Sequence, residues 1–198
     1  MPIEPTTLKQ LKEIQQSRAP VFFSATGLDT SFQTRIVAVD PARLCMLNAV
    51  PYNMIAQCVT AGDFQLQARM MRFKSSQITT DGVNLVFPLE TVQQIKETRT
   101  SERVPFNPDE QAICRILNPH DQKTWLPEQI MDLSATGMSF LTSTVSKLFK
   151  PGLQLDRIEI RIGKDSLSRA KGRVVYVRKI IDLKGKKSLQ VGVEFTPA

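Results

Sequence analysis

Residues Asp156-Arg157-Ile158-Glu159-Ile160-Arg161-Ile162 alternate polar and apolar without a break. Successive side chains on a strand point to opposite faces, so this pattern wets one face and buries the other. A helix, with its 3.6-residue period, would scatter the isoleucines around its axis. The same period runs through Phe64-Gln65-Leu66-Gln67, and Val174-Val175-Tyr176-Val177 has the composition of a buried strand. Around these, strands are predicted at Val21–Phe23, Phe32–Val39, Arg43–Leu47, Met54–Val59, Phe64–Phe73 and Val83–Phe87. A second series falls at Gln111–Leu117, Trp125–Leu133, Met138–Leu141, Leu155–Ile162, Ser168–Val177 and Leu189–Phe195. Asp40-Pro41, Ala61-Gly62-Asp63, Asp81-Gly82, Gly152, Gly163 and Lys184-Gly185 punctuate them as turns. Many short strands at this spacing make small barrels or sandwiches.

One helix precedes them. Leu8, Leu11 and Ile14 recur at helical spacing among polar residues, and Pro20 ends the segment. The stretch from Pro88 to Pro108 is polar and poor in apolar anchors, which predicts a junction with a boundary near Thr98. The expected domains are residues 1–97 and 98–198.

Charge divides unevenly between them. The chain carries a formal +7, of which residues 1–98 hold +1 and residues 99–198 hold +6. An anionic partner is therefore sought in the second half. No apolar run is long enough to span a bilayer as a helix, so no membrane insertion is expected. The start, Met1-Pro2-Ile3-Glu4-Pro5, has neither the basic nor the apolar region of a signal peptide. Cys45, Cys58 and Cys114 form no CxxC, and buried thiols in a reducing cytoplasm fit them.

Familiar catalytic patterns fail. His120 is the one histidine, which excludes HExxH zinc chemistry, and no GxSxG elbow supplies a serine for a triad. Gly185-Lys186-Lys187-Ser188 lacks the remaining residues of a phosphate loop, and GxGxxG is absent. The carboxylates are scattered, with no paired acid and base. No enzyme is expected, and neither a metal nor a cofactor.

Two segments remain. Arg99-Thr100-Ser101-Glu102-Arg103 is an RxxxR in the unpatterned junction, and Asp132-Leu133-Ser134-Ala135-Thr136-Gly137 is a DxSxxG at a strand end. RxxxR recurs at Arg157/Arg161 and Arg169/Arg173, where alternation explains it as the polar face of a strand. Guanidinium groups grip phosphate and chelate guanine O6 and N7 with two parallel hydrogen bonds. A carboxylate avoids phosphate but accepts from guanine N1–H and N2–H. Ser134 adds a hydroxyl, and Gly137 permits a close approach. Together the residues suit a guanine nucleotide.

These motifs, in this order and followed by Val191-Gly192-Val193-Glu194-Phe195, resemble the PilZ domain family over roughly residues 99–196. The first half resembles, less sharply, the N-terminal domain of its two-domain flagellar-brake subgroup. The resemblance implies an all-β fold of two small antiparallel β-barrels in tandem behind a short N-terminal helix. It implies a cytoplasmic receptor for cyclic di-GMP, recruited to the flagellar basal body, that acts on a stator or rotor protein. Arg99 and Arg103 would hold guanine and phosphate, Asp132 and Ser134 would read a guanine edge, and Gly137 would permit contact. Thr98 stands where many relatives carry a further arginine, and Thr136 where many carry glycine. Ligand ordering of a mobile Arg99–Arg103 loop, with a change in domain arrangement, is the expected mechanism.

The alternatives are a PilZ-fold adaptor in another process, such as exopolysaccharide production without nucleotide response, and a nucleic-acid-binding module. No aromatics interleave with the basic residues, so direct nucleic-acid binding is not expected. The excess charge gathers in residues 169–187, where Arg169, Lys171, Arg173, Arg178, Lys179, Lys184, Lys186 and Lys187 face Asp182 alone. A solvated strand face explains it, as does a dock for an acidic protein surface.

Overall fold

The computed structural model describes residues 4–68, 71–95, 101, 103–106, 110–163 and 165–196, the side chains of 165–167 excepted. Arg99 and Thr98 lie outside the described residues. The chain divides into two compact units, residues 1–98 with 180–187, and residues 99–179 with 188–198.

The first unit begins with α1 (Pro5–Gln16), with Pro5 at its start, where the missing N–H has no partner to lose. Leu11 and Ile14 are buried, as their helical spacing requires. Then follow β1 (Val21–Ala25), β2 (Thr30–Thr34), β3 (Ile36–Val39), β4 (Arg43–Leu47), α2 (Tyr52–Thr60), β5 (Phe64–Ala68), β6 (Met71–Ser75), β7 (Thr79–Thr80), β8 (Asn84–Pro88) and β9 (Gln93–Ile95). The order β2-β1-β5-β6-β9 makes one sheet, and β3-β4-β8-β7 makes an open four-stranded one. Phe23, Phe32, Phe64 and Phe87 fill the core, with Phe23–Phe64 centroids 5.9 Å apart. Each aromatic pair at such range adds about 0.5–1.5 kcal/mol beyond area burial. Ile181, near the end of a later strand, joins this core.

Helix α2 corrects the strand predicted over Met54–Val59. A short apolar run has no period of its own, so strand and helix cannot be told apart by it. Cys58 is buried, and Met54 and Ile55, four and three residues before it, pack partly on the core, so the three share one helix face. The predicted strand Phe64–Phe73 is two strands, β5 and β6, paired antiparallel. Phe32–Val39 likewise divides into β2 and β3.

The second unit holds β10 (Arg103–Pro105), β11 (Ala112–Leu117), β12 (Trp125–Ser134), β13 (Gly137–Ser143), β14 (Gln154–Ile162), β15 (Asp165–Ile181) and β16 (Lys187–Thr196). The order β14-β11-β12-β13-β16-β15 closes through β14–β15 pairing, a six-stranded barrel without free edges. Ile158 and Ile160, from the alternating segment, face its core with Phe140, Val174 and Val191. Burial holds the thiols of Cys58 and Cys114 protonated, and raises that of Cys58 to about 11.

Candidate functional site

The DxSxxG segment closes the hairpin between β12 and β13. Ser134 pairs with Gly137, leaving Ala135 and Thr136 as the two-residue loop. The Ser134 hydroxyl donates to the Gly137 carbonyl at 3.1 Å and accepts from the Thr136 amide at 3.3 Å, so the serine ties its own turn. Gly137 is required by packing: a Cβ there would run into the carbonyl oxygen of Val193 on β16.

A bulge aims the carboxylate. Along β12, Ile130 pairs with Phe140 but Asp132 pairs with Ser139, so Met131 is an extra residue. Ile130 and Phe140 both belong to the core. Ser139, adjacent to Phe140 on an unbroken strand, faces the other way, and Asp132 shares its side. Without the bulge, Asp132 would have the parity of Ile130 and point into the apolar interior.

Strand β10 supplies the cation. Arg103 pairs with Ser134 and Pro105 with Asp132. Arg103 therefore lies on the face of Ser134 and Asp132, diagonal to the carboxylate. Its Nη1 donates to Asp132 Oδ1 at 2.8 Å. The two side chains keep 25% and 13% of their exposure, so the pair is partly desolvated and still reachable. The expected junction loop is, at Arg103, a strand paired to the barrel.

A row of residues behind Asp132 holds it in place. Ser139 Oγ, fully buried, donates to Asp132 Oδ2 at 2.6 Å, so each carboxylate oxygen has a donor. Gln190 Nε2 donates to the same hydroxyl at 3.0 Å. Ser139 pairs with Gly192 on β16, where a Cβ would overlap the ring of Tyr176. The missing side chain thus makes room for the Tyr176 ring. Burial, and next the Asp132 charge, keep the phenol protonated above its usual range, opposed by Arg178 and Arg103. The Arg178 guanidinium lies over the Tyr176 ring, 5.2 Å from its centroid.

Arg103, Asp132, Ser134 and Gly137 are therefore brought together at one end of β10, β12 and β13. Arg99 lies outside the described residues. The sequence reading missed Ser139, Gln190, Tyr176 and Gly192. Only Gly192, a glycine inside a strand run, carried a signal of close approach. The assembled groups offer a fixed guanidinium beside a fixed carboxylate, which suits a ligand bearing both phosphate and an N–H edge. Among the described residues, no group of acids, cysteines and histidines could hold a metal. No helix among them is long and apolar enough to cross a membrane.

Comparison with known proteins bears on the fold and the family. No curated protein sequence matches the chain. Among solved structures it is similar to MrkH of K. pneumonia in complex with c-di-GMP, with a TM-score of 0.70 and 16% identity over 96% of this chain and 84% of that one. It is similar to a second MrkH structure, described as a c-di-GMP dependence transcription regulatory factor, at a TM-score of 0.63, 16% identity and 96% and 82% coverage. YcgR from Escherichia coli in complex with c-di-GMP gives 0.53 and 15% identity over 98% and 84%. At these identities the likeness is one of fold. Residues 97–198 match the PilZ domain itself, and the chain belongs to the PilZ domain family.

Proposed function

We propose that the chain is a receptor for cyclic di-GMP and that Arg99, Arg103, Asp132, Ser134 and Gly137 form its nucleotide site. The observation that carries this reading is the Arg103–Asp132 ion pair. It joins two motifs far apart in sequence on one accessible face, with the carboxylate fixed from behind by Ser139. Arg103 meets phosphate or the O6/N7 edge, and Asp132 accepts from the N1/N2 edge of guanine. Ser134, whose hydroxyl closes the hairpin, sets the position of the loop beside the base. In this reading the set only holds the ligand, which supports a receptor rather than an enzyme.

The output we propose is regulation of flagellar motility through contacts with a stator or rotor protein, in the cytoplasm and at the flagellar basal body. The fold likeness to YcgR supports it, with the first unit read as the barrel-like domain of the flagellar-brake subgroup. Arg99 and Arg103 open the second unit, directly after the boundary at residue 98, so in this reading a ligand held there acts beside the connection and changes the domain arrangement. A PilZ-fold adaptor without nucleotide response would have no need for a carboxylate held at both oxygens beside an arginine.

Two experiments test the reading. Purified protein titrated with cyclic di-GMP and with cyclic di-AMP should bind the first much more tightly, since adenine lacks the N1–H and N2–H that Asp132 accepts. Equal affinities would contradict the assignment of Asp132. A deletion strain should swim differently when complemented with wild type and with Asp132→Ala. Identical swimming would remove the motility output and leave the binding site standing.

A further inference from the structure

The basic segment of residues 169–187 divides, in the structure, into two kinds of charge. On the barrel wall two arginines have acidic partners, Arg173 Nη2 at 3.4 Å from Glu194 Oε2 and Arg169 Nε at 3.7 Å from Glu159 Oε1, while Arg178 lies over the Tyr176 ring. At the tip of the β15–β16 hairpin the cations are lysines. Lys184, Lys186 and Lys187 are exposed, and among the described residues none has a carboxylate within ion-pair distance.

The tip is also built rigidly. Asp182 Oδ1 accepts the amides of Lys184 and Lys186, each at 2.9 Å, and the Asp182 carbonyl accepts the Gly185 amide at 2.9 Å. Gly185 takes the left-handed conformation, φ 76°, that this turn needs. The one carboxylate of the tip thus shapes the backbone and pairs with no lysine. Ile180 and Ile181 behind it are buried, with Ile181 in the core of the first unit. Leu183, 44% exposed, stands beside the lysines.

We infer that this hairpin tip docks an acidic protein surface that has an apolar pocket for Leu183. A charged rim around an apolar anchor is the anatomy of a protein interface. A nucleic-acid backbone has no use for Leu183, and the tip brings neither arginine nor aromatic residues to read or stack bases. A single leucine adds little to bilayer binding, which leaves an anionic vesicle only the lysine charges. The inference rests on the protein-contact half of the function proposed above and is independent of the nucleotide site.

The test uses the full chain and synthetic probes: a peptide of Glu-Glu-Leu repeats, the matching Glu-Glu-Gly peptide, a short DNA duplex, and phosphatidylserine-containing vesicles, all at one salt concentration. Wild type should bind the Glu-Glu-Leu peptide best. The combined variant Lys184→Glu, Lys186→Glu, Lys187→Glu should lose at least about tenfold. Leu183→Ala should lose severalfold toward Glu-Glu-Leu and nothing toward Glu-Glu-Gly. Lys184→Gln with Lys186→Gln serves as the milder variant that removes charge without reversing it, and should lose severalfold. Cyclic di-GMP affinity measured on the same variants should stay at the wild-type value. Tighter binding to DNA or vesicles than to the peptide would overturn the inference, as would a peptide affinity indifferent to both the lysines and Leu183. Lost nucleotide binding in wild type would instead strike the receptor reading.

Discussion

Arg103 Nη1 donates to Asp132 Oδ1 at 2.8 Å across 29 residues of sequence. The pair is the point at which the two motifs become one site. Its strength depends on the shape of the guanidinium as well as its charge. Arg103→Lys should therefore keep an ion pair with Asp132 and leave the melting temperature within a few degrees of wild type, yet weaken cyclic di-GMP binding about tenfold by removing the bidentate fork. Calorimetry and a thermal melt on the same sample check both halves.

Ser139 lies behind Asp132 and is fully buried, so it is not placed to touch a ligand. Ser139→Ala removes the donor to Asp132 Oδ2 and the acceptor of Gln190. A loss of about 1–3 kcal/mol of stability is expected from the unsatisfied groups. Nucleotide affinity should fall severalfold because the carboxylate is freed to rotate. Gln190→Ala, which leaves the Ser139–Asp132 bond in place, should lose stability with little loss of affinity. Equal affinity losses in the two variants would show that Ser139 acts through folding alone.

Gly192→Ala should be strongly destabilising although glycine is not needed there for its backbone angles. The new Cβ would overlap the Tyr176 ring, 2.6 Å from Cδ1 and closer to two other ring atoms. Overpacking of this kind costs about 1–3 kcal/mol. Differential scanning calorimetry should show the loss. Tyr176→Ala in the Gly192→Ala background should recover part of it, since the clash goes with the ring.

Glu128 gives a pH dependence. Burial raises its carboxyl above the usual range, and the hydrogen bond from Thr142 Oγ1 at 2.7 Å offsets part of that. A raised folded value means the native state holds more protons than the unfolded chain between the two values. Stability therefore falls as pH rises through that window. Glu128→Gln retains an acceptor for Thr142 and carries no charge. Its melting temperature should exceed wild type near neutral pH, and the difference should shrink on acidification below the ordinary carboxylate range.

The barrel was legible because its strands alternate. Asp156–Ile162 became β14 with Ile158 and Ile160 inward, as its pattern demands. Helix α2 was not, since Met54–Val59 is apolar in a way that serves either element, and the choice is made by which side chains find the core. Within the site, Arg103, Asp132, Ser134 and Gly137 were readable as motif residues, because the motifs are short. The bulge at Met131 was not readable, because a register shift exists only between two strands. Ser139, Gln190 and Tyr176 were hidden for the same reason: Gln190 meets Ser139 from 51 residues away. The readings of Ser134 and Gly137 as ligand contacts now stand beside structural duties, a tied turn and a close approach to Val193. The basic segment was visible as a charge count. That Arg169 and Arg173 have acidic partners while the tip lysines have none needed the positions of Glu159 and Glu194.

The most direct measurement is calorimetric titration of cyclic di-GMP into wild-type protein and into Arg103→Ala. Wild type should give saturable binding, and Arg103→Ala should weaken it by at least about tenfold, the loss of one bidentate arginine contact worth about 1–3 kcal/mol. Wild-type affinity in Arg103→Ala, or no binding to the folded wild-type chain, would contradict the account.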